Sequence, residues 1–457
     1  MSAESYDIVI VGGGTGGAFA AATAATAGLE TVILERKSRE MAGHIACGDA
    51  IKGTATFPDV MDLEYLKDES FTNQSVTRAL FENPSSNDDI EIEFRGPGAV
   101  LDRKRYGEVI LEEAERLGAE IHYETVVQDV RQTDGGRVTG VTGRQNGSSV
   151  EYDAELVIDA AGSLSLLQDK ADLSGSFFDT NVRYSQFCSA YREVIEVDEP
   201  VEWDDAIVFK PTQELGYLWY FPRSPTTINV GVGFQMDQPE MQMISVIEND
   251  ITAREDLVNP TVIDKLGAAV PTRRPYDSAV APGYVAVGDA AGHVNPTTGG
   301  GIPGAAKSAV WATRRAIDAI EAGDVSERAL WEYNRDVMTD FGKHFAAIDC
   351  YNIWGTAHDV EELTEIVSAV PAQHLSDAMA GKNTGPMSLS LKLRTIKDTY
   401  GHWEELIQLA KVRRKARELA AHYDRYPAAP DGFPAWQSVR DDIMDEIYEI
   451  SGADPKY

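Results

Sequence analysis

The chain has 457 residues, 43% of them hydrophobic, more than one core normally supports, so two or three packed units are expected. Seventy-four acidic against 41 basic residues give a formal net charge of −33, a field that repels nucleic acid and excludes it as a partner. High internal salt screens such a charge, because the Debye length falls to roughly 3 Å near molar ionic strength, so the composition suits a salt-adapted cytoplasm.

Cys47, Cys188 and Cys350 form no CxxC pair and no metal-ligand cluster, which fits a reducing compartment and argues against structural disulfides or zinc. The opening MSAESYDIVIVGGG lacks a basic n-region and runs directly into a glycine turn, so it reads as folded structure rather than a signal. No uninterrupted apolar stretch approaches bilayer length. The expected address is cytoplasmic, with membrane contact only peripheral.

In chain order, Tyr6 to Gly14 (YDIVIVGGG) reads as a buried parallel strand ending in a tight turn, and an alanine-rich helix follows to about Thr26. Glu30 to Arg36 (ETVILER) is the second buried strand, which completes a βαβ unit. Gly12, Gly14 and Gly17 stand at G-x-G-x-x-G spacing between the first strand and the helix. Glycine is required there because a pyrophosphate must approach the backbone and the helix N-terminus, whose unpaired N–H groups face the anion. Glu35 lies 18 residues beyond Gly17, beside Arg36, where a carboxylate accepts ribose hydroxyls. The motif serves NAD and FAD alike.

HIACGDAIKG, His44 to Gly53, then sets the lone Cys47 between glycine turns. Asp59 to Asp89 is acidic and polar with little pattern, and IEIEFRG alternates like an exposed strand. Helical spacing over Tyr106 to Leu117 precedes short strands with hairpin turns at DGG and NGSS, ending in the buried strand of LVIDAAG. The region from about Ser176 to Phe234 is strand-rich. Within it Tyr217, Trp219 and Phe221 alternate at strand period and share one face, an apolar wall suited to a hydrocarbon chain, and Pro222 closes the strand. Tyr284 to Ala305 (YVAVGDAAGHVNPTTGGGIPGA) repeats strand, turn, glycine-rich loop and helix start. Asp289 there suits a ribityl hydroxyl, Gly299, Gly300, Gly301 and Ile302 aim N–H groups at a flavin edge, and His293 reads as positioning the cofactor. The rest is mainly helical and includes a basic cluster from Lys411 to Tyr426 that suits anionic headgroups.

The pairing of these N- and C-terminal motifs resembles the FAD fold of the aromatic hydroxylase and geranylgeranyl reductase families. LDRKRYGEVIL matches their Asp-Arg stretch and puts Arg103 near the flavin, while LVIDAAG occupies the position of their Asp-Gly motif, with Ala161 where aspartate is common. The spelling Y-x-W-x-F-P resembles the substrate signature of the geranylgeranyl reductases, which usually begins with proline where this chain has Glu214. In the reductases of archaeal isoprenoid ether lipids a Cys-Gly pair follows the second FAD strand, and Cys47 and Gly48 stand in that place.

The resemblance implies an α/β (α+β multidomain) fold: a Rossmann-like FAD-binding domain over 1–60, 96–170 and 272–330, an antiparallel-sheet substrate domain over 61–95 and 171–271, and a helical C-terminal region over 331–457. It implies FAD-dependent saturation of C=C bonds in geranylgeranyl chains of a prenylated glycerophospholipid. Cys47 and Gly48 are the expected catalytic residues, with His44 as a second acid, and Tyr217, Trp219, Phe221 and Pro222 the expected substrate wall. The electron donor is a ferredoxin, a reduced nicotinamide or a deazaflavin, and the membrane contact is at the inner face of the cell membrane. Two readings compete: an FAD-dependent monooxygenase or epoxidase of an apolar substrate, and a prenyl-binding escort protein without redox chemistry.

Overall fold

The computed structural model describes residues 3–52, 57–83, 89–212, 216–236, 241–368 and 403–457. In chain order the elements are β1 (Glu4–Val11), α1 (Thr15–Thr26), β2 (Thr31–Leu34), β3 (Ala50–Lys52), α2 (Leu63–Ser70), β4 (Phe71–Phe81), β5 (Ile90–Leu101) and α3 (Arg103–Arg116). There follow β6 (Glu120–His122), β7 (Thr125–Gln132), β8 (Val138–Gln145), β9 (Ser148–Asp159), α4 (Leu166–Lys170), β10 (Phe187–Glu196), β11 (Ala206–Thr212), β12 (Gly216–Ser224), β13 (Thr227–Gln235), α5 (Met241–Ala253) and β14 (Thr261–Pro271). The last are β15 (Val280–Ala281), β16 (Tyr284–Ala286), α6 (Ile302–Glu321), α7 (Glu327–Val337), α8 (Lys343–Gly355), α9 (Val360–Ser368), α10 (Trp403–Tyr423) and α11 (Phe433–Ser451).

Two sheets organise the chain. The first runs β15-β16-β9-β1-β2-β6, with β1, β2, β6, β9 and β16 parallel, and β7 and β8 extend it as an antiparallel meander from β9. β1 sits at its centre, where Ile8, Val9 and Ile10 are fully buried, which is why its apolar run is continuous rather than alternating. Helix α1 packs against α3 and α6 and buries an unbroken alanine-rich surface. The second sheet runs β14-β10-β13-β12-β11-β4-β5-β3, antiparallel throughout except for the parallel pairing of β4 with β11. One of its faces forms a core under α5 with Tyr220, Val230, Val232 and Ile247, while Trp219 and Phe221 belong to a separate small cluster on the other face.

Two local expectations change. The stretch Asp59 to Asp89 contains α2, started by Asp62, whose carboxylate accepts the Tyr65 N–H at 3.0 Å, and then β4. Its signal was faint because β4 buries only scattered positions. Pro222 does not close its strand: β12 continues to Ser224, and the Pro222 carbonyl accepts the Asn73 amide at 2.9 Å. Gly53 and Glu214 lie outside the described residues.

Candidate active site

A single cavity of about 2600 Å³ runs from the turn after β1, past the Cys47 loop and the face of the second sheet opposite α5, to helices α8, α9 and α10. Its nucleotide end is built from backbone. Gly12 has φ of +102°, and a Cβ there would stand 2.4 Å from the Ala160 carbonyl oxygen, so the turn closes only with glycine. Gly17 does not line the cavity; a Cβ on it would meet the Gly12 oxygen at 1.9 Å, so it lets α1 seat against the turn. Gly14 is the N-cap residue of α1, with no side-chain cap and no acid in the first turn, and a Cβ on it would make only an ordinary contact with Ile45 at 3.9 Å. The helix N-terminus is therefore left for an external anion. Glu35 is buried, accepts the Gly13 and Lys37 N–H groups at 2.8 and 2.9 Å, and lines the cavity beside Arg36.

Arg103 is 4% exposed, and its Nη1 has no hydrogen-bond partner. It lies over the Tyr106 ring, 4.9 Å from the centroid, and lines the same cavity. Thr15 Oγ1, at the start of α1, is likewise buried without a partner. Buried polar groups are nearly always satisfied, so a guanidinium and a hydroxyl left open beside a bare helix N-terminus fit a bound dinucleotide.

Across the cavity Asp289 takes a hydrogen bond from Ser163 Oγ at 3.4 Å, and burial pushes its carboxyl up. The loop from Asn295 to Gly301 begins α6 with no side-chain cap on Gly301, and Gly299 has φ of +67°. Gly299, Gly301 and Ile302 line the cavity, whereas Gly300 is exposed and outside it. Asp159, in the LVIDAAG stretch, takes hydrogen bonds from Tyr284 Oη at 2.6 Å and the Ala161 N–H at 3.0 Å, which joins β9 to β16.

The centre of the cavity is where the Cys47 loop meets β12. A Cβ on Gly48 would stand 3.0 Å from Phe221 Cε2 and 3.3 Å from Trp219 Nε1, so the Cys-Gly pair packs directly on the aromatic wall. Tyr217, Trp219 and Phe221 all line the cavity, and Tyr217 Oη donates to the Thr298 carbonyl at 3.1 Å, tying the wall to the glycine-rich loop. Pro222 points to the opposite face, as strand alternation requires, and does not line the cavity. Burial pushes the Cys47 thiol up to about 11, Asp49 adds to the rise, and Arg103 and Arg192 oppose it. The Asp49 N–H donates to Cys47 Sγ at 3.3 Å.

Sequence reasoning overlooked the residues that hold this loop. Asn229, fully buried on β13, donates to the Cys47 carbonyl at 2.8 Å and to Asp49 Oδ2 at 2.6 Å, while its Oδ1 accepts the Trp219 indole N–H at 2.9 Å. Arg223 completes the set, with Nη2 2.7 Å from the Asp49 carboxylate. Asp49 is fully buried and has φ of +73°, a strained conformation that these partners hold in place. The signal available was a single polar residue, Asn229, inside the apolar run INVGVG.

His44 lines the cavity with Nε2 2.9 Å from both Asp264 oxygens, and Arg192 meets the same carboxylate at 2.5 Å. Burial works against the Asp264 charge, but the His44 and Arg192 hydrogen bonds hold its pKa below the usual carboxylate value. His293 departs from expectation: its ring packs against Tyr333 and Phe341, away from the cavity, and burial lowers its pKa to about 3.

A family model described as FAD dependent oxidoreductase matches residues 7–258. The digeranylgeranylglycerophospholipid reductase of Sulfolobus acidocaldarius is 27% identical over 98% of this chain and 99% of its own length. The protein of the same name from Methanoculleus marisnigri is 30% identical over 73% of this chain and 82% of its own. Among solved structures, a geranylgeranyl bacteriochlorophyll reductase-like protein from Thermoplasma acidophilum superposes with a TM-score of 0.71 at 23% identity, covering 90% of this chain and all of that one.

Proposed function

This chain belongs to the FAD dependent oxidoreductase family and, within it, to the digeranylgeranylglycerophospholipid reductases, and we propose a reaction in which its own residues bind an isoprenoid chain and supply the proton for its reduction. The protein is a flavin-dependent oxidoreductase that uses FAD to saturate C=C bonds in geranylgeranyl chains of ether phospholipid precursors. The observation that supports the reading of the site is the packing of Gly48 on Trp219 and Phe221, beside a Cys47 that lines the same cavity as the dinucleotide turn.

Reduced FAD, when bound, supplies the hydride. The turn from Gly12 to Gly14, Glu35, Arg36 and Arg103 would hold the cofactor, together with Asp289 and the loop to Ile302, all of which line the same cavity. An isolated alkene has no carbonyl to accept charge, so a proton must reach one carbon as hydride reaches the other. Cys47 Sγ holds that proton at neutral pH, because burial keeps the thiol un-ionised. Arg103 and Arg192 favour the thiolate left behind, and the Asp49 N–H hydrogen-bonds it, so release of the proton leaves a supported anion. Tyr217, Trp219 and Phe221 exclude water from the chain and present ring faces to developing positive charge. The domain division follows the same reading, with 1–60, 96–170 and 272–330 for FAD, 61–95 and 171–271 for substrate and 331–457 as the helical C-terminal region, corrected at two places: β3 and the end of β5 pair within the second sheet and go with the substrate side. The electron donor is a ferredoxin, nicotinamide or deazaflavin, and lipid is taken up at a membrane surface without insertion; among the described residues no helix is long and apolar enough to cross one.

The test is anaerobic incubation of the reduced holoprotein at high salt with a geranylgeranyl ether phospholipid, read by mass spectrometry. Stepwise gain of hydrogen pairs is expected. An unchanged lipid mass with flavin bound and reduced sinks the proposal.

A further inference from the structure

The side of α10 turned toward the cavity changes character along its length. Leu406, Leu409 and Ala410 line the cavity first, Arg413, Arg414 and Arg417 follow at helical spacing, and small residues, Ala420 and Ala421, come after them. Across from them α8 contributes Ala347, Ile348 and Tyr351. One channel thus offers an apolar stretch with guanidinium groups beside it.

Arg414 and Arg417 are solvent-exposed while lining the cavity, which puts them at its rim. Among the described residues neither pairs with a carboxylate, in a chain with 74 acidic residues. Their neighbour Lys415 shows the contrast: it turns away from the cavity and pairs with Glu418 at 3.0 Å and Glu446 at 2.5 Å. Arg36 and Arg103, which line the nucleotide end, also lack a carboxylate partner among the described residues. Among the described residues the cavity therefore has two places where lining arginines lack a carboxylate partner, and a dinucleotide would fill only one.

We propose that Arg414 and Arg417 form the binding site for the phosphate of the substrate lipid, fixing the headgroup at the rim while the isoprenoid chains lie along the apolar stretch toward Trp219. This rests on the reading above and adds the group that recognises the polar end of the substrate. Two guanidinium groups one helical turn apart suit a phosphate, which accepts paired N–H donors from each.

The probe is a dialkyl glycerophosphate with saturated isoprenoid chains, which cannot react, compared with its neutral dialkylglycerol in nonionic detergent. Binding to the FAD-loaded protein is read by quenching of intrinsic tryptophan fluorescence. The Arg414→Gln/Arg417→Gln variant is expected to bind the phosphate probe about ten-fold or more weakly and the neutral probe unchanged, with Arg414→Lys/Arg417→Lys in between. An unchanged flavin spectrum and melting temperature show that the variant is folded.

Equal loss on both probes overturns the proposal, as does no loss on either. Loss of flotation with anionic vesicles, without loss on the single-lipid probe, moves these arginines to the membrane surface and also overturns it. Displacement of NADPH rather than of the phosphate probe assigns them to a nucleotide donor, with the same consequence. If the phosphate probe binds through the arginines but the unsaturated lipid is never reduced, the functional reading fails and the site stands. If the lipid is reduced with unaltered KM in the glutamine variant, the site fails and the function stands.

Discussion

At Cys47 two opposing influences set the useful pH range: burial lifts the thiol, and the Arg103 and Arg192 charges ease its ionisation. An ordinary thiol with a pKa of 9.0 loses its proton well before one at about 11, so reduction should hold across that interval and fall as pH approaches the upper value. The folded state keeps this proton where the unfolded state gives it up, so the associated stability is fully present below 9.0 and is lost as pH rises through about 11. A rate profile on the lipid checks the first statement. Cys47→Ala should lower reduction by about 10²-fold or more while flavin content is unchanged, because general-acid assistance is worth that much. Asn229→Leu tests the support. It strands the Trp219 indole N–H, the Cys47 carbonyl and part of the Asp49 shell, and should cost about 1–3 kcal/mol in urea unfolding together with turnover.

The elements that carry the dinucleotide were legible because their requirements are local. Gly12 needs a positive φ and Gly17 a bare Cα, and both needs appear as glycine in the sequence. Gly14 separates folding from binding, since its φ is ordinary and a Cβ there meets only Ile45 at 3.9 Å. Gly14→Ala should therefore leave the melting temperature of the flavin-free protein in place and lower the flavin-to-protein absorbance ratio. The aromatic strand was legible for the same reason, since period-2 spacing puts Tyr217, Trp219 and Phe221 on one face. Pro222 misled because proline resembles a terminator, whereas here the irregular register between Pro222 and Ser224 absorbs it. The contacts that hold the Cys47 loop were not legible. Asn229 lies 182 residues from Cys47, and Asp264 lies 220 from His44, distances at which no local pattern reports a partner.

At the scale of the molecule, the charge of −33 dominates. Many of the described cations already serve ion pairs, such as Arg105 with Glu69 and Arg254 with Glu82, so the surplus acids face one another through solvent. Raising potassium chloride from about 0.1 M to about 3 M shortens the screening length and should raise the melting temperature by about 5 °C or more. A melting temperature that falls with salt is the contrary result.

The connection of the two sheets also bears on how the chain reaches its native state. β1 and β2 lie at the start of the sequence, yet the strand that flanks β9 on its far side, β16, begins at Tyr284. β3, from Ala50 to Lys52, belongs to a sheet whose other edge strand, β14, ends at Pro271. A ribosome must therefore deliver well over half of the chain before either sheet can close. Pairings that span so much of the chain imply slow refolding and a nascent chain that depends on chaperones, with few N-terminal fragments able to stand alone.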